Sequence, residues 1–100
     1  MDNLMMARKL TEYARRLAGE GANLFRVRAY RQAAQTVMAL DRPVAELLEE
    51  GGLAALPGIG AHLAFTIEHL VRTGEFLTFE EREAAAWRQV RRRSAVARPA

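Results

Sequence analysis

The chain is 100 residues long, half of them hydrophobic and 27% charged, and it contains no cysteine. That describes one small soluble domain with a single core, and it excludes a disulfide framework, a thiolate zinc site and a cysteine nucleophile. The formal charge of +3 conceals a pattern: residues 1–37 carry seven basic and three acidic side chains, residues 38–83 three and nine, and residues 84–100 five arginines and no acid. Basic ends around an acidic middle favour polyanions such as nucleic acid or an anionic surface, although a merely solvated basic face has the same composition. No charge-free stretch is long enough to cross a bilayer, and MDNLMMARKL lacks the apolar segment of a signal peptide, so the expected location is cytoplasmic with no membrane association.

Helical spacing recurs along the chain and no alternating run supports a strand, so the expected fold class is all-α. Met6, Leu10, Tyr13, Ala14 and Leu17 share one face of a helix predicted from about Asn3 to Ala18, closed by Gly19 and Gly21. Asn23 is a fitting N-cap for a second helix, Leu24 to Leu40, with Ala29 or Tyr30, Ala33, Val37 and Leu40 inward. Pro43 suits the first turn of a short third helix reaching Glu50, with Val44, Leu47 and Leu48 as its apolar stripe and Gly51-Gly52 as its end. Leu53 to Leu56 reads as a helical turn, Pro57-Gly58-Ile59-Gly60 as a tight connection, and Ala61 to Thr73 as a fourth helix with Leu63, Ala64, Ile67, Leu70 and Val71 inward and Gly74 at its C′ position. Thr78-Phe79-Glu80-Glu81 has the form of a capping box and predicts a fifth helix to about Arg93, with Ser94 to Ala100 as a frayed tail. No internal repeat is present.

The segment LPGIG, at Leu56–Gly60, carries the functional information. Gly58 and Gly60 permit backbone angles that a Cβ resists, and they let another backbone approach. A helix starts immediately afterwards, so the amides of Gly60, Ala61 and His62 are unpaired donors at a positive dipole end, which is a seat for phosphate. Pro57 stiffens the loop and Ile59 points inward to pin it. A glycine turn kept for packing alone is the competing reading; Ala64 and Ile67, placed for close helix crossing, favour the phosphate seat.

LPGIGAHLAFTIEHLVRTGEF, at Leu56–Phe76, resembles a helix-hairpin-helix motif, whose span is placed at residues 53–73; the resemblance implies that hairpin amides hold DNA phosphates without reading bases. With NLFRVRAYRQAA at Asn23–Ala34 and the helices around it, residues 3–76 resemble the amino-terminal 8-kDa domain of X-family DNA polymerases of the DNA polymerase beta type. The resemblance implies a four-helix DNA-binding domain over residues 1–76, followed by a basic helix and tail over 77–100. No nucleotidyltransferase segment accompanies it.

In that family the domain binds the 5′-phosphate side of a gap, and some members excise 5′-deoxyribose phosphate through a lysine Schiff base, which needs a neutral amine. By this resemblance the lysine position is Thr66, which cannot form an imine; a phosphate-contacting lysine aligns with His62, and Arg26 takes the place of another. Arginine stays protonated and cannot substitute, and the one lysine, Lys9, sits on the first helix. The chain is therefore expected not to be an enzyme. The residues expected at the DNA surface are Gly58, Ile59, Gly60, Ala61, His62 and Thr66, with Arg26, Tyr30 and Arg31, and Arg28 as a weaker candidate of the same group; Tyr30 either meets the strand terminus or is half-buried core.

His62, Thr66 and His69 share a helix face, but a zinc site wants three or four convergent ligands, so no side-chain metal site is expected. The carbonyls of Ala54, Leu56 and Ile59 are where the resemblance implies a monovalent cation, and no other cofactor is expected. Arg88, Arg91, Arg92 and Arg93 follow Trp87; they extend the phosphate footprint or suit the end of a helix, while Trp87 anchors that helix on the domain or on a partner. The leading expectation is a non-sequence-specific DNA-binding module, an accessory in repair or recombination with a preference for gaps or single-strand/duplex junctions. A protein-interaction module docking through the Trp87 helix on a polymerase or nuclease subunit, and a lyase using an unexpected amine, are the alternatives.

Overall fold

Asp2 opens α1 (Asn3–Gly19) by accepting a 2.8 Å hydrogen bond from the Met5 amide. Gly21, at φ +72°, closes it: the amides of Ala22 and Gly21 fold back on the carbonyls of Leu17 and Ala18, the paired bonds of a glycine-ended helix. The computed structural model to which these elements belong describes residues 1–97. Asn23 caps α2 (Leu24–Ala39) through a 2.8 Å bond from the Phe25 amide, and the helix ends one residue before its expected limit, with Leu40 extended. The short connection makes α1 and α2 an antiparallel hairpin. Asn3 ties its open end: its side chain donates to the Arg42 carbonyl and accepts from the Val44 amide, both at 2.9 Å.

α3 (Val44–Glu49), a single 3₁₀ turn at Leu53–Ala55 and α4 (Ala61–Thr73) follow. They cover the α1–α2 pair, giving one core built from Met6, Leu10, Tyr13, Ala14 and Leu17 of α1, Val27, Tyr30, Ala33 and Val37 of α2, and Leu63, Ile67 and Leu70 of α4. Of the two residues that helical spacing offers at the start of the α2 face, Tyr30 points inward and Ala29 is half-buried; Leu40 is also half-buried, and Val27, which the spacing did not assign, joins the core. No strand occurs among the described residues, and no helix there is long and apolar enough to cross a membrane.

α5 (Phe79–Ala97) starts at the buried Thr78, whose hydroxyl accepts from the Glu81 amide at 3.1 Å. Its first turn anchors it: Phe79 stacks on His62 with centroids 4.3 Å apart and meets Phe65 edge-on at 6.0 Å. From Glu80 to Arg93 every residue is exposed, so Trp87 does not anchor the helix on the domain. The radius of gyration, 16.1 Å, exceeds the roughly 13 Å of a compact chain this long because α5 projects. The helix also passes its expected end at Arg93. Nothing in Ser94-Ala95-Val96-Ala97 breaks a helix, and Pro99 is the first residue that would. The remainder of the expected tail, residues 98–100, lies outside the described residues.

Candidate nucleic-acid interface

The hairpin is a tight turn whose Ile59 side chain points into the protein while Pro57, Gly58 and Gly60 are exposed. Pro57 and Gly58 occupy its centre, the Ile59 amide donates to the Leu56 carbonyl at 3.1 Å, and Gly58 has φ +77°. This is the arrangement for which proline at the second position and glycine at the third are the preferred residues. Ile59 is buried in the core, and the Thr36 hydroxyl donates to the Pro57 carbonyl at 2.9 Å, so two independent attachments fix the loop to the helices beneath it. A Cβ at Gly58 would come within 2.8 Å of Gln32. Gly58→Ala should therefore cost about 1–2 kcal/mol from the left-handed backbone and the displaced glutamine, read as a lowered midpoint in a thermal melt.

Gly60 differs from Gly58. Its φ is −86°, and a Cβ there would meet nothing within 4 Å. Conformation does not require glycine at this position; open space in front of the helix is what it provides. Gly60 is the N-cap of α4 and no side chain caps that end; the first backbone bond runs from the Ala64 amide to the Gly60 carbonyl at 2.9 Å. The amides of Gly60, Ala61 and His62 therefore have no acceptor and all three residues are exposed. Ile59, in contrast, has spent its amide on the turn and serves as the anchor rather than as a donor.

Beside this end, a carboxylate lies between two of the expected phosphate ligands. Glu80 is 3.7 Å from the Arg26 guanidinium and 3.7 Å from Nδ1 of His62. Arg26 also donates to the Tyr13 hydroxyl at 3.1 Å, and its buried Nε has no partner. Glu80 had no part in the sequence reading beyond the capping box; the signal was its place in the first turn of a helix that starts against α4.

Besides Ile59, two residues expected at the DNA surface are inside the protein. Tyr30 is 5% exposed, edge-on to Tyr13 with centroids 4.7 Å apart. Burial pushes its phenol up to about 12, with Tyr13 and Glu80 adding to the rise and Arg26 and the Thr66 hydroxyl opposing it. It is a neutral packing residue that cannot meet a strand terminus from this position. Thr66 is 0% exposed and donates to the His62 carbonyl at 3.3 Å. The physical reason is helical phase: Tyr30 precedes Ala33 and Val37 by three and seven, and Thr66 lies between Leu63 and Leu70, so both fall on inner faces. Arg31 is exposed but lines a depression with Ala7, Thr11, Ala34, Gln35 and Met38, on the α1 flank of α2. The hairpin touches the opposite flank through Gln32 and Thr36.

Of the residues on that flank, Arg28 was a weaker candidate beside Arg26, and Phe25 and Gln32 were missed. Phe25, Arg28 and Gln32 fall at i, i+3 and i+7, one stripe of α2 that ends beneath Gly58. Arg28 is exposed, and Phe25 is 79% exposed despite its apolar ring. An aromatic on the outer face just after an N-cap was the available signal. No group of three or more His, Cys, Asp or Glu side chains that could hold a metal ion occurs among the described residues. The sequence model of a family described as "helix-hairpin-helix domain" matches residues 1–76. No curated protein matches the chain.

Proposed function

The chain belongs to the helix-hairpin-helix domain family, and from that premise we propose that it binds DNA through the phosphate backbone without reading sequence. The observation that carries this reading is the uncapped, exposed N-terminus of α4 at the end of a rigidly attached hairpin. A phosphate oxygen placed there accepts from the amides of Gly60, Ala61 and His62 at the positive end of the helix. Gly60 admits the sugar-phosphate chain, and Arg28 supplies a nearby cation. None of these groups reaches a base edge, so the contacts position the protein without specifying sequence. The carbonyls of Ala54, Leu56 and Ile59 are oxygen donors of the kind that hold a monovalent cation, which would screen a phosphate at the same turn.

The finer reading, from the resemblance to the polymerase-beta type of domain, is an accessory role in repair or recombination with preference for a gap bearing a 5′-phosphate. A terminal phosphate carries more charge than an internal one and competes best with Glu80 for Arg26 and His62. Glu80→Gln should then tighten binding to a 5′-phosphorylated gapped duplex about two- to fivefold, the scale of one exposed ion pair, with little change on the unphosphorylated duplex. Equal gains on both would remove the terminal-phosphate preference. We assign no lyase chemistry: Thr66 is buried and has no amine, and Lys9 lies in a cleft among Glu12, Tyr13, Arg16, Phe76 and Glu81.

Fluorescence anisotropy of labelled gapped duplex, intact duplex and single strand, titrated at several salt concentrations, tests the function. Each phosphate neutralised on duplex contributes about −0.9 to the slope of log K on log salt. Micromolar, salt-sensitive binding to intact duplex is expected, and no duplex binding at low salt would remove the reading.

A further inference from the structure

The outer part of α5 has no role in the hairpin. Trp87 is 63% exposed and Val90 50%, and Arg88, Arg91, Arg92 and Arg93 are all exposed. None of these arginines lies within ion-pair distance of a carboxylate among the described residues, and the sequence has no acid after Glu83. Arg88 stands three residues from Arg91 and four from Arg92, spacings at which like charges repel across a helix face. The helix dipole does not account for them. Because α5 continues to Ala97, its last turn contains no basic residue, and dipole stabilisation fades beyond the last turn. The cluster is thus self-repelling and unpaired, a surface that an anionic ligand relieves.

Trp87 selects among anions. Ala84, Trp87, Arg88 and Arg91 line one shallow depression, so the indole and two arginines share one surface. An accessible aromatic face among cations is what single-stranded nucleic acid uses: an unpaired base stacks on the ring while the cations track the phosphates. Duplex supplies the phosphates but keeps its base faces stacked. An anionic membrane surface needs a wider apolar face than Trp87, Val90 and the neighbouring alanines provide, and α5 opens with Glu80, Glu81 and Glu83. We propose that the outer half of α5 is a second nucleic-acid-binding surface, selective for single strands, in which Trp87 stacks on a base and Arg88, Arg91 and Arg92 hold the phosphates. It uses no hairpin residue.

Trp87 is the one tryptophan in the chain, so intrinsic fluorescence reports on this surface. Titration with an unphosphorylated oligothymidylate of about twelve nucleotides should quench it at micromolar concentrations, less effectively as salt rises. A duplex of equal length should quench at least about fivefold less well, and the exposed pair Arg88→Glu and Arg91→Glu, with helix content checked by circular dichroism, should weaken quenching about tenfold or more. Gly60→Glu should leave the quench intact. The proposal is overturned if the oligothymidylate leaves fluorescence unchanged, if duplex quenches equally, if the double reversal binds like the parent, or if Gly60→Glu removes the signal. It is equally overturned if the indole responds instead to phosphatidylserine vesicles, or shifts on raising protein concentration alone, which would mark a second copy as the occupant. Loss of duplex anisotropy with a persisting quench would remove the hairpin reading while supporting this one, so the two fail separately.

Discussion

Gly60→Glu is expected to weaken binding to intact duplex DNA at least about tenfold while leaving the domain folded. The backbone at Gly60 is in a region open to any residue and a Cβ there meets nothing, so the substitution stores no strain. A carboxylate at the start of α4 is even favourable to the helix, by about 0.3–1 kcal/mol. The same carboxylate occupies the place where a phosphate would sit and repels its charge. Affinity for duplex should fall at least about tenfold, equivalent to about 1.4 kcal/mol, with a melting midpoint equal to the parent's or slightly higher. Gly60→Ala should fall between the two, since it obstructs approach without adding charge. Gly58→Ala is the contrasting case, because it acts on stability through Gln32 and the left-handed backbone. Anisotropy and thermal melts on the three variants separate a glycine kept for a ligand from one kept for a turn. Parent-like duplex affinity in Gly60→Glu would mean that the hairpin is a packing device.

The contrast also shows what the sequence could and could not convey. Capping residues and glycines mark element ends by local chemistry, and Asp2, Asn23, Thr78, Gly21 and Gly74 act where local rules place them. The hairpin was legible for the same reason: Pro57, Gly58 and Ile59 determine a turn among themselves. What escaped the reading depends on the phase of one helix against another. Thr66 was placed at the DNA surface, and Tyr30 there or in the core, by resemblance rather than by their position between inner-face neighbours, yet a phenol and a hydroxyl with partners can be buried at little cost. Arg31 was preferred to Arg28, from which it stands only about 60° round the helix, since only the tertiary contact of Gln32 with the hairpin says which flank faces it. Glu80 was invisible as a ligand competitor because no local rule brings the start of α5 against Arg26 and His62.

Thr66→Lys is expected to destabilise the domain severely rather than to create an amine catalyst. The side chain of Thr66 is wholly enclosed, with Leu63, Ile67 and Leu70 on the same helix face and Tyr30 opposite. Lysine adds length to a closed space, and overpacking of that kind costs about 1–3 kcal/mol. It also brings an ammonium to a position without a carboxylate partner; leaving a charge buried and unpaired costs about 3–5 kcal/mol, unless the amine deprotonates or pulls its neighbours apart. Against a total stability of about 5–15 kcal/mol, a loss of about 3 kcal/mol or more should lower the melting midpoint by at least about 12 °C. Thr66→Val keeps the shape and surrenders only the hydroxyl bond to the His62 carbonyl, so it should cost about 1 kcal/mol. A thermal melt of both variants distinguishes enclosure from simple loss of the hydroxyl. A lysine variant that melts near the parent would mean that the packing around Tyr30 opens to admit the side chain. Borohydride trapping on an abasic substrate would then be the measurement to make on that variant. With the space closed, Schiff-base chemistry at residue 66 needs the packing of Tyr30 to be rebuilt, and a single substitution does not supply that.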